Sequence, residues 1–179
     1  MDYIRSFISF NIPITPAIRE PLEKLRSIRG VSVTKEVHLT LRFLGDVQEK
    51  KLKVLSEKMR SLENYSSFSV SMKGIGAFPK NTDPRVVWIG GDIGVPFYDI
   101  LKEIDKMLDS SSIEYDKKPF KAHITIGRVR DPSKELTQFI VDRKDIEYGT
   151  FTVEEIFLMK SVLTPKGAEH SVLETIKLK

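Results

Sequence analysis

Two histidines, His38 and His123, are each followed two places on by a threonine, Thr40 and Thr125. Each pair sits in a run that alternates polar with apolar residues: "VHLTLRFLGD" at 37–46 and "KAHITIGRVRD" at 121–131. Successive side chains of a strand point to opposite faces, so His38, Thr40 and Arg42 line up on one side of the first run, with Val37, Leu39, Leu41 and Phe43 on the other. In the second run His123 and Thr125 share a face opposite Ala122, Ile124 and Ile126. Imidazole titrates near pH ~6.5, so one ring can sit neutral and accept a proton while another, protonated, donates one. Phosphodiester cleavage uses both, because the attacking hydroxyl or water must be deprotonated and the leaving oxygen protonated, from opposite sides of phosphorus. Hydroxyls one pleat away, Thr40 and Thr125, are placed to donate to the non-bridging oxygens, whose charge the transition state must carry.

A lone His-x-Thr carries little information. That two of the chain's three histidines have one, by chance, is on the order of one per cent for this composition. The competing reading is packing alone: two semi-buried histidines in strands where threonine is favoured for its β-propensity. Nothing in the pattern distinguishes acid from base, since exchanging the two labels leaves it unchanged.

Around these runs the periodicity predicts a strand over 3–11, then a helix capped at Thr15–Pro16 and closed by Gly30 after about Arg29. Asp46 with Glu49 makes a D-x-x-E capping signal for a helix whose apolar face is Val47, Leu52, Leu55 and Met59. Residues 68–78 and 85–91 read as paired strands across "PKNTDP", with Trp88 in the core. A helix over 96–110 carries Phe97, Ile100, Leu101, Ile104 and Leu108, and Asp131–Pro132 opens another. Two strands around Pro165-Lys166-Gly167 finish the chain. An offset of 85 residues superposes His38, Thr40, Leu41 and Asp46 on His123, Thr125, Ile126 and Asp131, so two pseudo-equivalent lobes are expected.

Composition narrows the chemistry further. The 179 residues, 40% apolar, suit one domain or two small lobes sharing a cleft. The absence of cysteine excludes thiol nucleophiles, disulfides and cysteine-based zinc sites. No run approaches the ~20 apolar residues of a membrane span, and the N-terminal run is broken by Arg5 and Asn11, so a soluble cytoplasmic protein is expected. A net charge of +4 and a pI near 9.2 permit a phosphate-bearing ligand without forming a basic tail. "GIGAF" and "GGDIG" lack the spacing of a phosphate loop or dinucleotide fingerprint, and there is no G-x-S-x-G or H-E-x-x-H. No carboxylate or histidine cluster accompanies His38 or His123 in the sequence, so no metal is expected.

The tandem "HLTLRFLG" and "HITIGRV" resemble the duplicated signature of the two-histidine phosphoesterases. The flanking "RSFISFNIP", "FPKNTDPRVVWIGG" and "SVLTPKGAEHSVL" extend the resemblance, across almost the whole chain, to the RNA 2',3'-cyclic phosphodiesterase (2'-5' RNA ligase-like) family. That resemblance implies a single α+β domain over 1–179, bilobal by pseudo-two-fold duplication, with two antiparallel sheets around a central cleft and helices outside. It implies metal-independent opening of RNA 2',3'-cyclic phosphate ends to 2'-phosphates without a cofactor, and 2'-5' ligation as the reverse reaction. The expected partner is RNA with such an end, tRNA fragments included, and the expected state is a monomer. Carried over by position, His38 is the proton donor and His123 the proton acceptor, with Thr40 and Thr125 beside them. Arg42, on the face of His38, is a candidate phosphate contact. Arg128 is a second candidate, out of phase with His123 unless the strand bends near Gly127. Arg130, Lys117, Lys118 and Lys121 could line a path for RNA. The chain departs from the family at His170, where tyrosine is expected after the turn; lacking a threonine partner and lying near a hairpin, it reads as non-catalytic. Two alternatives stay open: the same site acting on a small cyclic nucleotide or an ADP-ribose cyclic phosphate, and an RNA-end-binding protein without turnover.

Overall fold

The computed structural model describes residues 1–179. Its first half runs β1 (Tyr3–Asn11), α1 (Pro16–Arg26), β2 (Val31–Val33), β3 (His38–Gln48), α2 (Glu49–Met59), a 3-10 turn over Arg60–Asn64, and β4 (Phe68–Lys80). It continues with β5 (Asp83–Ile93), α3 (Pro96–Ser110), β6 (His123–Val129), α4 (Lys134–Asp142), β7 (Glu147–Val153), β8 (Glu155–Thr164) and β9 (Gly167–Lys177). The strands form two antiparallel sheets, one ordered β3-β1-β8-β9 and the other β2-β6-β5-β4-β7. The first sheet joins strands from both ends of the chain, and the second is built mostly from its middle. Each sheet therefore holds one His/Thr strand, β3 or β6, and these two strands pack against each other. This is the α+β, two-sheet architecture expected from the sequence.

Helices cover one face of each sheet. α2 and α3 lie on the first sheet; α1 packs on β2 and β7 and α4 on β4 and β5 of the second. One continuous apolar cluster runs through these layers, with Phe10, Leu39 and Leu41 of the first sheet, Ile89 and Ile124 of the second, and Leu25, Leu55 and Ile104 of the helices. Each such side chain contributes roughly 1.5–3 kcal/mol by its burial. Phe68 bridges Phe10 and Phe97 at ring-centroid distances of 5.5 and 5.3 Å. No helix is long and apolar enough to cross a membrane.

Three helix boundaries differ from the sequence expectation. β3 runs on through Gln48, with Asp46 paired to Arg5 and Val47 to Ile4, so α2 begins only at Glu49. Pairing with β1 occupies the backbone groups that a cap at Asp46 would have served. α4 is capped not by Asp131 but by Ser133, whose Oγ accepts the Leu136 N–H at 3.1 Å. α1 stops at Arg26, and Gly30, at φ +84°, takes the turn; a Cβ there would meet the Asp131 backbone oxygen at 2.6 Å. The Gly30 carbonyl accepts the N–H groups of Arg130 and Asp131, fastening the loop before β2 to the exit of β6.

Candidate active site

The two His/Thr strands break strict alternation at the same point. In β3, Thr40 pairs with Ser9 and Arg42 with Ile8, which leaves Leu41 as a bulge. In β6, Thr125 pairs with Trp88 and Gly127 with Val87, which leaves Ile126 as a bulge. An extra residue in one strand reverses the phase of everything beyond it. Arg42 is thereby turned to the helix side, where its Nε and Nη2 donate to the two carboxylate oxygens of Asp105 on α3 at 2.8 and 3.1 Å. It does not share a face with His38, contrary to the expectation from alternation. Phe43, expected in the core, pairs with Phe7 on the histidine face and is 45% exposed, while Leu44, in a second bulge, is buried instead. The Arg5 guanidinium lies 4.7 Å from the centre of the Phe43 ring. Arg128 is brought into phase with His123 and Thr125, by a bend one residue earlier than Gly127. A Cβ on Gly127 would point at Leu25 of α1, which places Arg128 and Thr125 on the helix-free side of their sheet.

His38 stands on Phe7 of β1, the rings stacked at 5.1 Å and 28°. His170 of β9 approaches the same pair edge-on, 5.3 Å from His38 and 5.0 Å from Phe7. Strands β1 and β8 separate β3 from β9; a flat sheet would put the two histidines roughly 14 Å apart at its usual strand spacing. Curling of the sheet closes that gap. The Glu36 Oε2 lies 3.9 Å from His170 Nδ1. Burial first, and then the neighbouring charge of His170, push the His38 imidazole down to about 4. His38 is therefore neutral near pH 7 when nothing is bound.

His123 is fixed differently. Its Nδ1 is 2.7 Å from the Lys121 carbonyl oxygen. A carbonyl only accepts, so Nδ1 carries the hydrogen and Nε2 is left with the lone pair. Phe78 meets the ring edge-on at 5.2 Å, Trp88 lies 5.4 Å from Phe78, and the Lys121 ammonium sits 5.2 and 5.1 Å from these two rings. Trp88 is half-buried on the Thr125 face rather than in the helix-side core. It fits there because position 76 is glycine: a Cβ would come within 2.3 Å of the indole. Thr40 and Thr125 are both half-buried on the faces of their histidines. Of the basic residues considered for an RNA path, Lys117 pairs with Asp109 at 3.7 Å and Arg130 with Asp131 at 3.5 Å, both exposed. Lys118 lies on the same loop, its backbone N–H bound to Asp116. Lys121 alone of the four is packed beside a motif histidine.

The sequence model of the LigT-like phosphoesterases matches the chain twice, over residues 12–88 and 92–168, once around each His/Thr strand. The chain belongs to the LigT-like phosphoesterase family. The RNA 2',3'-cyclic phosphodiesterase of Archaeoglobus fulgidus is 34% identical over 97% of this chain and 100% of its own. That of Methanocaldococcus jannaschii is 33% identical over 96% and 99%. Among solved structures, TT0787 of Thermus thermophilus superposes with a TM-score of 0.82 at 27% identity, covering 97% of both chains.

Within this LigT-like frame, the residues that sequence reasoning missed are His170, Phe7, Glu36, Phe78 and Trp88. For Phe7 a signal existed, since it shares a face with Ser9, the cross-strand partner of Thr40. His170 stands out in the sequence as the third histidine, but its place beside His38 depends on the curl of a sheet whose strand order the sequence does not display.

Proposed function

We propose that this protein hydrolyses 2',3'-cyclic phosphates at RNA ends to 2'-phosphates, using His123 as proton acceptor and His38 as proton donor. Water attacks phosphorus as its proton passes to Nε2 of His123; the bond from phosphorus to the 3' oxygen breaks, and that oxygen takes a proton from His38. Thr40 and Thr125 donate to the non-bridging oxygens. Arg128, on the helix-free face, adds a cation for the phosphate, and Arg42 is left out of the mechanism. The observation that carries the reading is the bond from His123 Nδ1 to the Lys121 carbonyl, which presents Nε2 as a ready acceptor on the strand equivalent to that of His38. Relatives bearing the name RNA 2',3'-cyclic phosphodiesterase over nearly the full chain support the substrate class.

His38 needs a proton to serve as donor. An anionic phosphate seated beside it favours the imidazolium and restores what burial takes away. The same groups would give 2'-5' ligation if a 5' hydroxyl replaced water: it attacks phosphorus of the 2',3'-cyclic phosphate as His123 takes its proton, the bond to the 3' oxygen breaks and His38 protonates that oxygen; the reverse cleavage exchanges the two duties.

The test is incubation of an RNA ending in 2',3'-cyclic phosphate, in EDTA, with wild type, His38→Ala and His123→Ala, and identification of the phosphate position in the product. A 2'-phosphate made by wild type alone is expected, with losses in the single variants that do not add in the double. Near-full activity of either folded variant overturns its role. Turnover of a mononucleotide or ADP-ribose cyclic phosphate with none of the RNA overturns the substrate class, and salt-sensitive RNA binding without product would leave an end-binding protein.

A further inference from the structure

His170 lies outside the tandem motif, yet its ring is 5.3 Å from that of His38 and both rest on Phe7. Two imidazolium charges at that separation in a half-buried place oppose each other, so the pair takes up its protons in two steps rather than one. The surroundings decide which ring goes first. From the loop before β3, the Glu36 carboxylate stands at His170 Nδ1, at 3.9 Å. On the same face β1 offers Phe7 and, beyond it, Arg5 over Phe43; β8 offers Phe157, Met159 and Ser161; β9 itself adds Val172. On the helix-free face of the other sheet, β6 carries His123 and Arg128. The carboxylate in this set stands at His170, on the sheet edge opposite that of His38.

We propose that His170, beside Glu36, is a positioning residue for His38: its charge keeps the His38 ring neutral until an anionic substrate arrives. The inference rests on the reading of His38 as proton donor. A cation beside His38 makes it the stronger acid toward a departing oxygen and ties its loading to the presence of phosphate. The depressed proton affinity of His38, due first to burial and then to His170, agrees with this arrangement.

The test is a histidine ring titration by NMR on the full chain without substrate, for wild type, His170→Gln and Glu36→Gln, alongside pH profiles of kcat/KM on an RNA cyclic phosphate. In wild type the His38 midpoint should lie below the ordinary histidine value. His170→Gln should raise the His38 midpoint by roughly half a unit to two units, the span Coulomb's law gives between water-like and protein-like screening. Glu36→Gln retains both rings and, by weakening the charge on His170, should raise the His38 midpoint in the same direction by less, so the inference stays testable if His170→Gln fails to fold. An unmoved His38 midpoint in folded His170→Gln, or a wild-type His38 midpoint at the ordinary histidine value, overturns the proposal. The limb of the rate profile that follows His38 should move with its midpoint. A moved midpoint with an unmoved limb upholds the coupling of the rings and overturns instead the donor role of His38.

Discussion

Phe43 and Arg128 occupy matching positions, each just beyond the bulge in its His/Thr strand and on the face of its histidine. The two arms of the site thus differ in kind: one ends in an exposed aromatic ring, the other in a cation. Arg128→Ala should raise KM for an RNA cyclic phosphate with a stability change within about 0.5 kcal/mol, as expected for an exposed side chain. Arg42→Ala should do the reverse, because it breaks a bidentate charged pair with Asp105 that is only 10% exposed on the arginine side. A loss of about 1–3 kcal/mol in urea unfolding, with activity per folded molecule preserved, is expected. A large loss of kcat in Arg42→Ala with unchanged stability would return that residue to the site.

His38 also links stability to pH. Its folded-state value of about 4 lies below the ordinary 6.5, so between these limits the unfolded chain binds more protons than the folded one. Stability from this group is complete above pH ~6.5 and is lost as pH falls toward ~4, by on the order of 1–3 kcal/mol. Urea midpoints measured at pH 7 and pH 4 should differ less for His38→Gln than for wild type. Equal differences would show that His38 is not held neutral by the fold.

The same residue should separate two rate profiles. kcat/KM reports the free enzyme and kcat the complex. Bound phosphate favours the imidazolium, so the limb that follows His38 should lie at higher pH in kcat than in kcat/KM. Coincident limbs would mean that substrate does not load the donor.

Gly76 makes room for Trp88, and Trp88 and Phe78 back the ring of His123. Gly76→Ala should cost about 1–3 kcal/mol by overpacking, and it should shift the emission of the chain's one tryptophan. Hydrolysis should fall with it as His123 loses its support. Unchanged emission and activity would show that the indole can shift aside without disturbing His123.

Much of this arrangement is legible in the sequence alone, and particular residues explain where legibility ends. Alternation placed His38 with Thr40 and His123 with Thr125, and helical spacing placed Phe97, Ile100, Ile104 and Leu108 in the core. It failed at Arg42 and Phe43 because a bulge at Leu41 has no distinguishing chemistry; an apolar residue looks the same paired or unpaired. Asp46 misled for a related reason: a capping side chain and a strand residue differ only in what the neighbouring chain does, and here β1 pairs with it. The short β2 and the polar-faced β7 carry too little periodicity to stand out. His170 required knowing that four strands curl.

The sheet that carries His38 is ordered β3-β1-β8-β9, and along the chain its two edge strands are separated by β4, β5, β6 and β7 of the other sheet. During synthesis the proposed donor on β3 is made well before β9, the wall that brings His170 to it. The pair of histidines beside Phe7 therefore comes into being only after most of the second sheet has been made.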